Sequence, residues 1–416
     1  MKTFIKPFTQ QEQIPEVGIA AAVKVMRSGR LHRYNTLPNE LGETDHLELE
    51  FAKLMGLPYC LACSSGGYAL HIAMRAAGIK AGDKVLCNAF TLAPVPGAIH
   101  NSGAIPILVD VADDYKVDLD DLELKAKTSG ASFFMLSHMR GHIADMDRIV
   151  EICKQHNLVL IEDCAHTMGA SWKGRKSGSF GDVACFSTQT YKHINSGEGG
   201  FLITPHDDIM ARAIMYSGSY MLFDRHQASP PKAAFDSIRY ETPNYSGRMD
   251  NLRAAILRPQ LADLQTQCER WNQSYKILEK ILNNCAQISI PARLAEEEFV
   301  ASSIQFSVPT LASEQILEFV KICQARGVVI KWFGAKEPQD YTSRYDSWRY
   351  IEKMPYLPKT EKVLSSLLDM RIPLTFNQQD CELIADIIVE VVGEVVGEVV
   401  GGVVSKLTDE VVAEDL

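Results

Sequence analysis

Apolar positions along this chain change spacing from segment to segment. Residues 15–28 repeat them at helical intervals and stop at Ser28-Gly29, and 45–55 do the same before a short apolar run, YCLAC (59–63). SSGGYALHIAMRAAGI then reads as a turn that opens a helix. From there strand-like runs (KVLCN, AIPILVD, FFMLSH, LVLIED and VACFS) alternate with helical segments such as MDRIVEICKQHN. This alternation predicts an α/β fold, a parallel or mixed sheet with helices on both faces. In such sheets ligands gather at the carboxyl ends of the strands.

A long helical pattern starts near Met249 and continues through Arg253, Leu261 and Trp271. It predicts a large unit over 1–260, N-terminal segment included, and a smaller α+β unit over 261–390. The last stretch, 391–416, reads as a low-complexity tail that carries a repeat of period four, EVVGEVVGEVVGGVV (390–404). Paired valines at that spacing make an apolar stripe on a helix, although valine and glycine are weak helix formers. Glu390, Glu394 and Glu398 argue against a membrane span. The tail is expected to be a low-complexity extension of the last helix without a catalytic role.

Composition narrows the function classes. With 416 residues, 46% of them hydrophobic and 23% charged, the chain can bury a large core. A net charge of -10 argues against general nucleic-acid binding and leaves room for a local basic pocket. No signal-like start and no apolar run of spanning length is visible, so a cytoplasmic protein is expected. Ten cysteines are scattered through helix and strand patterns. Cys60 and Cys63 form a CxxC with no second pair or histidine cluster to complete a zinc site, so they read as reduced core thiols.

The candidate chemistry centres on Lys192, in FSTQTYKHINSGEGG (186–200), and on Asp163 upstream, in VLIEDCAH. An amine and a carboxylate, each just beyond an apolar strand, suit pyridoxal phosphate. The amine forms a Schiff base with the cofactor aldehyde, and the carboxylate keeps the pyridine nitrogen protonated. Gly66, Gly67 and Tyr68, opening the helix of SSGGYALH, are candidate amide donors to a phosphate. His166 sits three residues beyond Asp163, placed to pack or hydrogen-bond beside the ring. Ser187 precedes the lysine and offers a hydroxyl to the phosphate, while SGEGG forms a tight loop that holds Lys192 in place.

These blocks, in this order, resemble the DegT/StrS-type sugar aminotransferases, of pyridoxal phosphate fold type I, from about residue 12 to about residue 385. IEDCAHTMGASWKGRKSGSFGDVACFS resembles the ring-binding strand and "GSFGD" loop, and TYKHINSGEGGFL the lysine block. GHIADMDRIVEIC, SGRMDNLRAAIL and LPKTEKVLSSLLDMRIPL resemble three further blocks. The resemblance implies a large domain with a mostly parallel sheet and a smaller α+β domain. It implies Lys192 on the cofactor aldehyde, Asp163 on the ring nitrogen, His166 beside the ring, and Ser187 with the Gly67 and Tyr68 amides on the phosphate. It also implies a homodimer with active sites at the subunit interface. A branch with histidine at the lysine position dehydrates its sugar; here His193 only follows Lys192, which favours transamination. Three positions depart from the pattern. Gly67 stands where threonine is frequent, Leu92 where an aromatic ring stacks on the cofactor, and Ser246 where an asparagine reaches the neighbouring subunit's cofactor.

The resemblance further implies glutamate or glutamine as amino donor and a keto sugar as acceptor. Arg30, His32 and Arg33 in SGRLHRY, with Arg140 in SHMRGH, stand where uncharged or small residues are expected near the pocket. Guanidinium groups suit carboxylates and phosphates. An acceptor carrying its own carboxylate is therefore expected. Within the family the overall pattern is similar to members that aminate an octulosonate, which implies 3,8-dideoxy-8-oxo-manno-octulosonate of lipopolysaccharide as acceptor. The alternatives are a nucleotide-linked keto sugar, a pyridoxal-dependent sugar dehydratase, or a non-catalytic regulator on the same fold.

Overall fold

The computed structural model describes residues 1–414, with side chains as far as 397. Seven strands form the main sheet, in the order Tyr59–Cys63, Gly200–Thr204, Val183–Ser187, Val159–Asp163, Phe133–Ser137, Lys84–Asn88, Ile105–Val109. Six of them are the predicted runs. The seventh, GFLIT, lies between Tyr59–Cys63 and Val183–Ser187 and is antiparallel to both, which makes a mostly parallel sheet mixed. Its glycine-rich approach masks its strand character in the sequence.

Burial on both faces explains why the strands read as continuous apolar runs. Within YCLAC, Cys60 and Ala62 enter one core cluster while Leu61 and Cys63 enter the other, because successive side chains point to opposite faces. Both cysteines are fully buried and burial raises their thiol pKa values. Glu16–Ser28 and Glu43–Met55 are the first two helices, each closed by a left-handed glycine, Gly29 and Gly56.

The long helix expected from Met249 is two helices, Asn251–Ala262 and Leu264–Leu282, which meet at Asp263. Pro259 lies inside the first, where it removes a backbone donor. The C-terminal unit carries a three-stranded antiparallel sheet of Ser303–Ser307, Leu367–Arg371 and Lys331–Trp332, with Leu367–Arg371 in the middle.

The N-terminal segment meets both units: helix Glu16–Ser28 packs on Asn251–Ala262, while the residues before it reach the C-terminal unit. Phe4 and Phe8 meet Phe376 edge to face with centroids 5.0 Å apart, and the Phe4 amide donates to the Arg326 carbonyl. The last helix runs Gln378–Glu414, through the valine repeat. Val391, Val392 and Val395 are buried, whereas Glu390 and Glu394 turn outward to pair with the buried Arg326. Among the described residues no helix is long and apolar enough to cross a membrane.

Candidate active site

The carboxyl ends of the parallel strands converge on one cavity of about 570 Å³. Asp163 ends its strand beside Ser137, its parallel register partner. Ser137 Oγ donates to Asp163 Oδ2 at 2.9 Å and the Ala165 amide donates to Oδ1 at 3.2 Å, which fixes the carboxylate plane. The neighbouring Glu162 points to the opposite side. There it accepts from the amides of Phe180 (2.8 Å), Gly181 (2.7 Å) and Gly178 (3.0 Å) and so shapes the GSFGD loop. His138, 3.1 Å away, and Cys164 lie close enough to suggest a metal cluster, but Glu162 is already committed to backbone donors.

Helix Gly66–Ala76 points its N-terminus into the cavity. Ser65 caps it by accepting from the Tyr68 amide at 3.1 Å. Tyr68 is thus removed from the expected phosphate donors, and its hydroxyl donates to the Tyr216 carbonyl at 3.1 Å instead. The amides of Gly66 and Gly67, at the first two helical positions, have no intrahelical acceptor. Ser187 closes the cradle from the end of strand Val183–Ser187. Its Oγ accepts from the Gln189 amide at 3.3 Å, which leaves the hydroxyl hydrogen free to donate. A β-carbon on Gly66 would lie 2.8 Å from Ser187 Cβ, so only glycine allows this approach.

Lys192 reaches the same cavity, with Nζ 2.8 Å from His166 Nε2. Desolvation, with Arg140 and Arg371 nearby, lowers the lysine pKa to about 7 against the partial opposition of Asp163. Burial and the same cations push the His166 pKa well below its usual value, so the imidazole is neutral. Leu92 lines the wall as an aliphatic side chain. Arg140 also lines it, in a left-handed conformation (φ 56°), and pairs with Asp369 at 2.7 Å.

Four other expected residues lie elsewhere in this chain. Arg33 is buried and makes two bonds to Glu48 (2.8 and 2.9 Å), so its charge is spent on the core and not on a ligand. Arg30 pairs with Glu40 at 3.0 Å, and the His32 ring packs edge-on against Tyr34. Ser246 is exposed, with φ 56°, and lies 3.3 Å from Asn244 Oδ1 rather than on the cavity. Ser65, Ser137, Tyr191 and Arg371 line the cavity and were not anticipated. The first two had a signal, one before an apolar helix and one at a strand end. The last two come from loop closure and from the other unit.

Residues 14–389 match the model of the DegT/DnrJ/EryC1/StrS aminotransferase family. The chain belongs to that family. GDP-perosamine synthase of Caulobacter vibrioides is 38% identical over 217 residues, 51% of this chain and 55% of that one. A pleiotropic regulatory protein of Geobacillus stearothermophilus is 31% identical over 64% of this chain and 65% of its own length. The chain thus spans about half to two thirds of the length of the curated relatives it matches. Among solved structures, S. venezuelae DesV in complex with a ketimine intermediate superposes with TM-score 0.75 at 26% identity, covering 90% of this chain and 93% of that one.

The DegT/DnrJ/EryC1/StrS family depends on pyridoxal phosphate. The residues present here fit that cofactor: a glycine-lined helix N-terminus for the phosphate, a fixed carboxylate for a protonated ring nitrogen, and an amine of lowered pKa in the same cavity.

Proposed function

We propose that the protein is a pyridoxal phosphate-dependent aminotransferase that moves an amino group from glutamate or glutamine to a sugar carbonyl. The single observation that carries this reading is the Lys192–His166 contact at 2.8 Å in the cavity that also holds Asp163 and the phosphate cradle. When bound, pyridoxal phosphate supplies an aldehyde that condenses with amines and a ring that takes up electrons.

The residues do the rest. Gly66 and Gly67 amides with the Ser187 hydroxyl hold the phosphate at the helix N-terminus, and Asp163, held by Ser137, balances a protonated ring nitrogen. Lys192 Nζ, once free, takes the proton from the donor's α-carbon and returns it in the second half of the cycle. His166 orients that amine. Its Nδ1 accepts from the Arg140 amide at 3.4 Å, so Nε2 carries the hydrogen and donates to the lysine lone pair. An ammonium at Lys192 would demand the other tautomer, with Nδ1–H facing the Arg140 N–H. This arrangement favours the neutral amine.

The acceptor we infer is a keto or aldehydo sugar, and the narrower reading is an anionic one such as 3,8-dideoxy-8-oxo-manno-octulosonate. A nucleotide-linked keto sugar is the alternative, suggested by the likeness to GDP-perosamine synthase. We also infer a homodimer, because Ser246 stands exposed and does not line its own cavity, as a residue serving a neighbouring subunit's site would.

The test is the absorbance spectrum of the purified protein before and after glutamate. Conversion of the visible cofactor band to that of the amine form, with release of 2-oxoglutarate, is the expected result. A band that responds to no amino donor would turn the reading towards a dehydratase or a regulator.

A further inference from the structure

Asp369 and Arg371 share one face of strand Leu367–Arg371, being two residues apart. Asp369 is fully engaged. It accepts from the Tyr341 hydroxyl and from Gln305 Nε2, each at 2.7 Å, and pairs with Arg140 at 2.7 Å. Arg371 has no such partner. Its guanidinium lies 3.7 Å from the centre of the Tyr191 ring and 4.9 Å from that of Tyr341, and its buried Nε has no acceptor. Among the described residues no carboxylate pairs with it, yet it lines the cavity that holds Lys192. The Tyr341 ring also carries Arg140 at 4.6 Å, so one ring separates a neutralised guanidinium from an unneutralised one.

A recessed cation whose hydrogen-bonding edge is left unused is the complement of a planar anion. Two tyrosine rings hold this one in place, which lowers the entropy cost of using it. We infer that Arg371 anchors a substrate carboxylate in the cavity. The inference rests on the aminotransfer reading for which carboxylates enter, namely that of the amino donor or that of an anionic acceptor.

The experiment uses the holoenzyme and its R371Q and R371K variants, each first shown to keep the visible cofactor band. Glutarate, an unreactive dicarboxylate, is titrated by calorimetry. R371Q is expected to weaken it by about tenfold to a hundredfold, the worth of a charge-assisted contact, and R371K by less. Two arms then separate the sources. Loss in R371Q of the preference for L-glutamate over isoglutamine, read as cofactor conversion, assigns the donor's α-carboxylate. Loss of the preference of the amine form for succinic semialdehyde over butanal assigns the acceptor's. Glutarate affinity and both preferences unchanged in R371Q, or no glutarate binding to the unaltered protein, would overturn the inference. Arg371-dependent glutarate binding without any conversion by glutamate or glutamine would sink the aminotransfer reading alone.

Discussion

Lys192 and His166 come from different strand ends, yet their nitrogens lie 2.8 Å apart, and the Arg140 backbone amide on the far side of the imidazole decides which of them holds the hydrogen. The lysine pKa of about 7 follows chiefly from desolvation, reinforced by Arg140. Because the lowered value favours loss of the proton, the reactive neutral amine accumulates as pH rises through 7 instead of through the ordinary value near 10.5. Capture of pyridoxal phosphate by the apoprotein should therefore quicken about tenfold per pH unit below 7 and level off above it. Stopped-flow absorbance across pH 5.5–9.5 checks this; a rate still climbing at the top of that range would mean an ordinary lysine.

Lys192→Ala should reduce turnover by at least about a thousandfold, since it removes both the covalent tether and the proton carrier. The phosphate cradle and Asp163 remain, so the variant should still bind pyridoxamine phosphate. Single-turnover kinetics and equilibrium dialysis measure the two separately. Normal transamination by this variant would refute the assigned role.

How much of this was legible in the sequence depended on whether local chemistry or tertiary closure placed a residue. The six parallel-reading runs, Lys192, Asp163 and Gly66 stand next to strong local signals, a buried strand or a glycine turn. GFLIT was missed because its glycine-rich approach reads as loop. Tyr68 was misassigned because a capping serine one turn earlier claims its amide, and cap geometry outranks proximity to glycine. Arg30, His32 and Arg33 show the limit most clearly. Charge in a sequence gives no sign of whether an acid elsewhere will neutralise it, and Glu48 does so for Arg33 from inside helix Glu43–Met55. Arg371 is the converse case, a cation that the fold leaves free.

Gly66→Ala tests the cradle. Its new methyl would sit 2.8 Å from Ser187 Cβ, so either the helix or the strand end must shift. We expect cofactor affinity to fall by about tenfold or more, as a shift of a few tenths of an ångström misaligns three donors at once. Gly67→Ala, whose methyl would meet nothing nearer than Pro94 Cβ at 3.9 Å, should lose less. Fluorescence titration of each apoprotein with pyridoxal phosphate gives the comparison.

Arg33→Met should be a stability variant and not a binding variant. Glu48 accepts from Arg33 twice and from the Ala62 amide at 2.8 Å, and despite its burial the Arg33 charge holds its carboxyl at a pKa of about 2. Without the guanidinium, the buried carboxylate keeps only the neutral Ala62 amide and His226, whose own pKa is lowered to about 4 by burial and by Arg33. Removing one partner of such a pair costs about 3–5 kcal/mol. The Glu48 contribution has a defined sign with pH: its folded pKa lies below the ordinary value near 4.5, so the stability it supplies is complete above that value and lost as pH falls towards 2. Arg33→Met should therefore flatten the acid limb of the stability profile in urea denaturation, while Arg30→Ala, on an exposed pair, should cost under about 1 kcal/mol. If Arg33→Met left stability intact and raised the half-saturating substrate concentration instead, Arg33 would belong to the pocket after all.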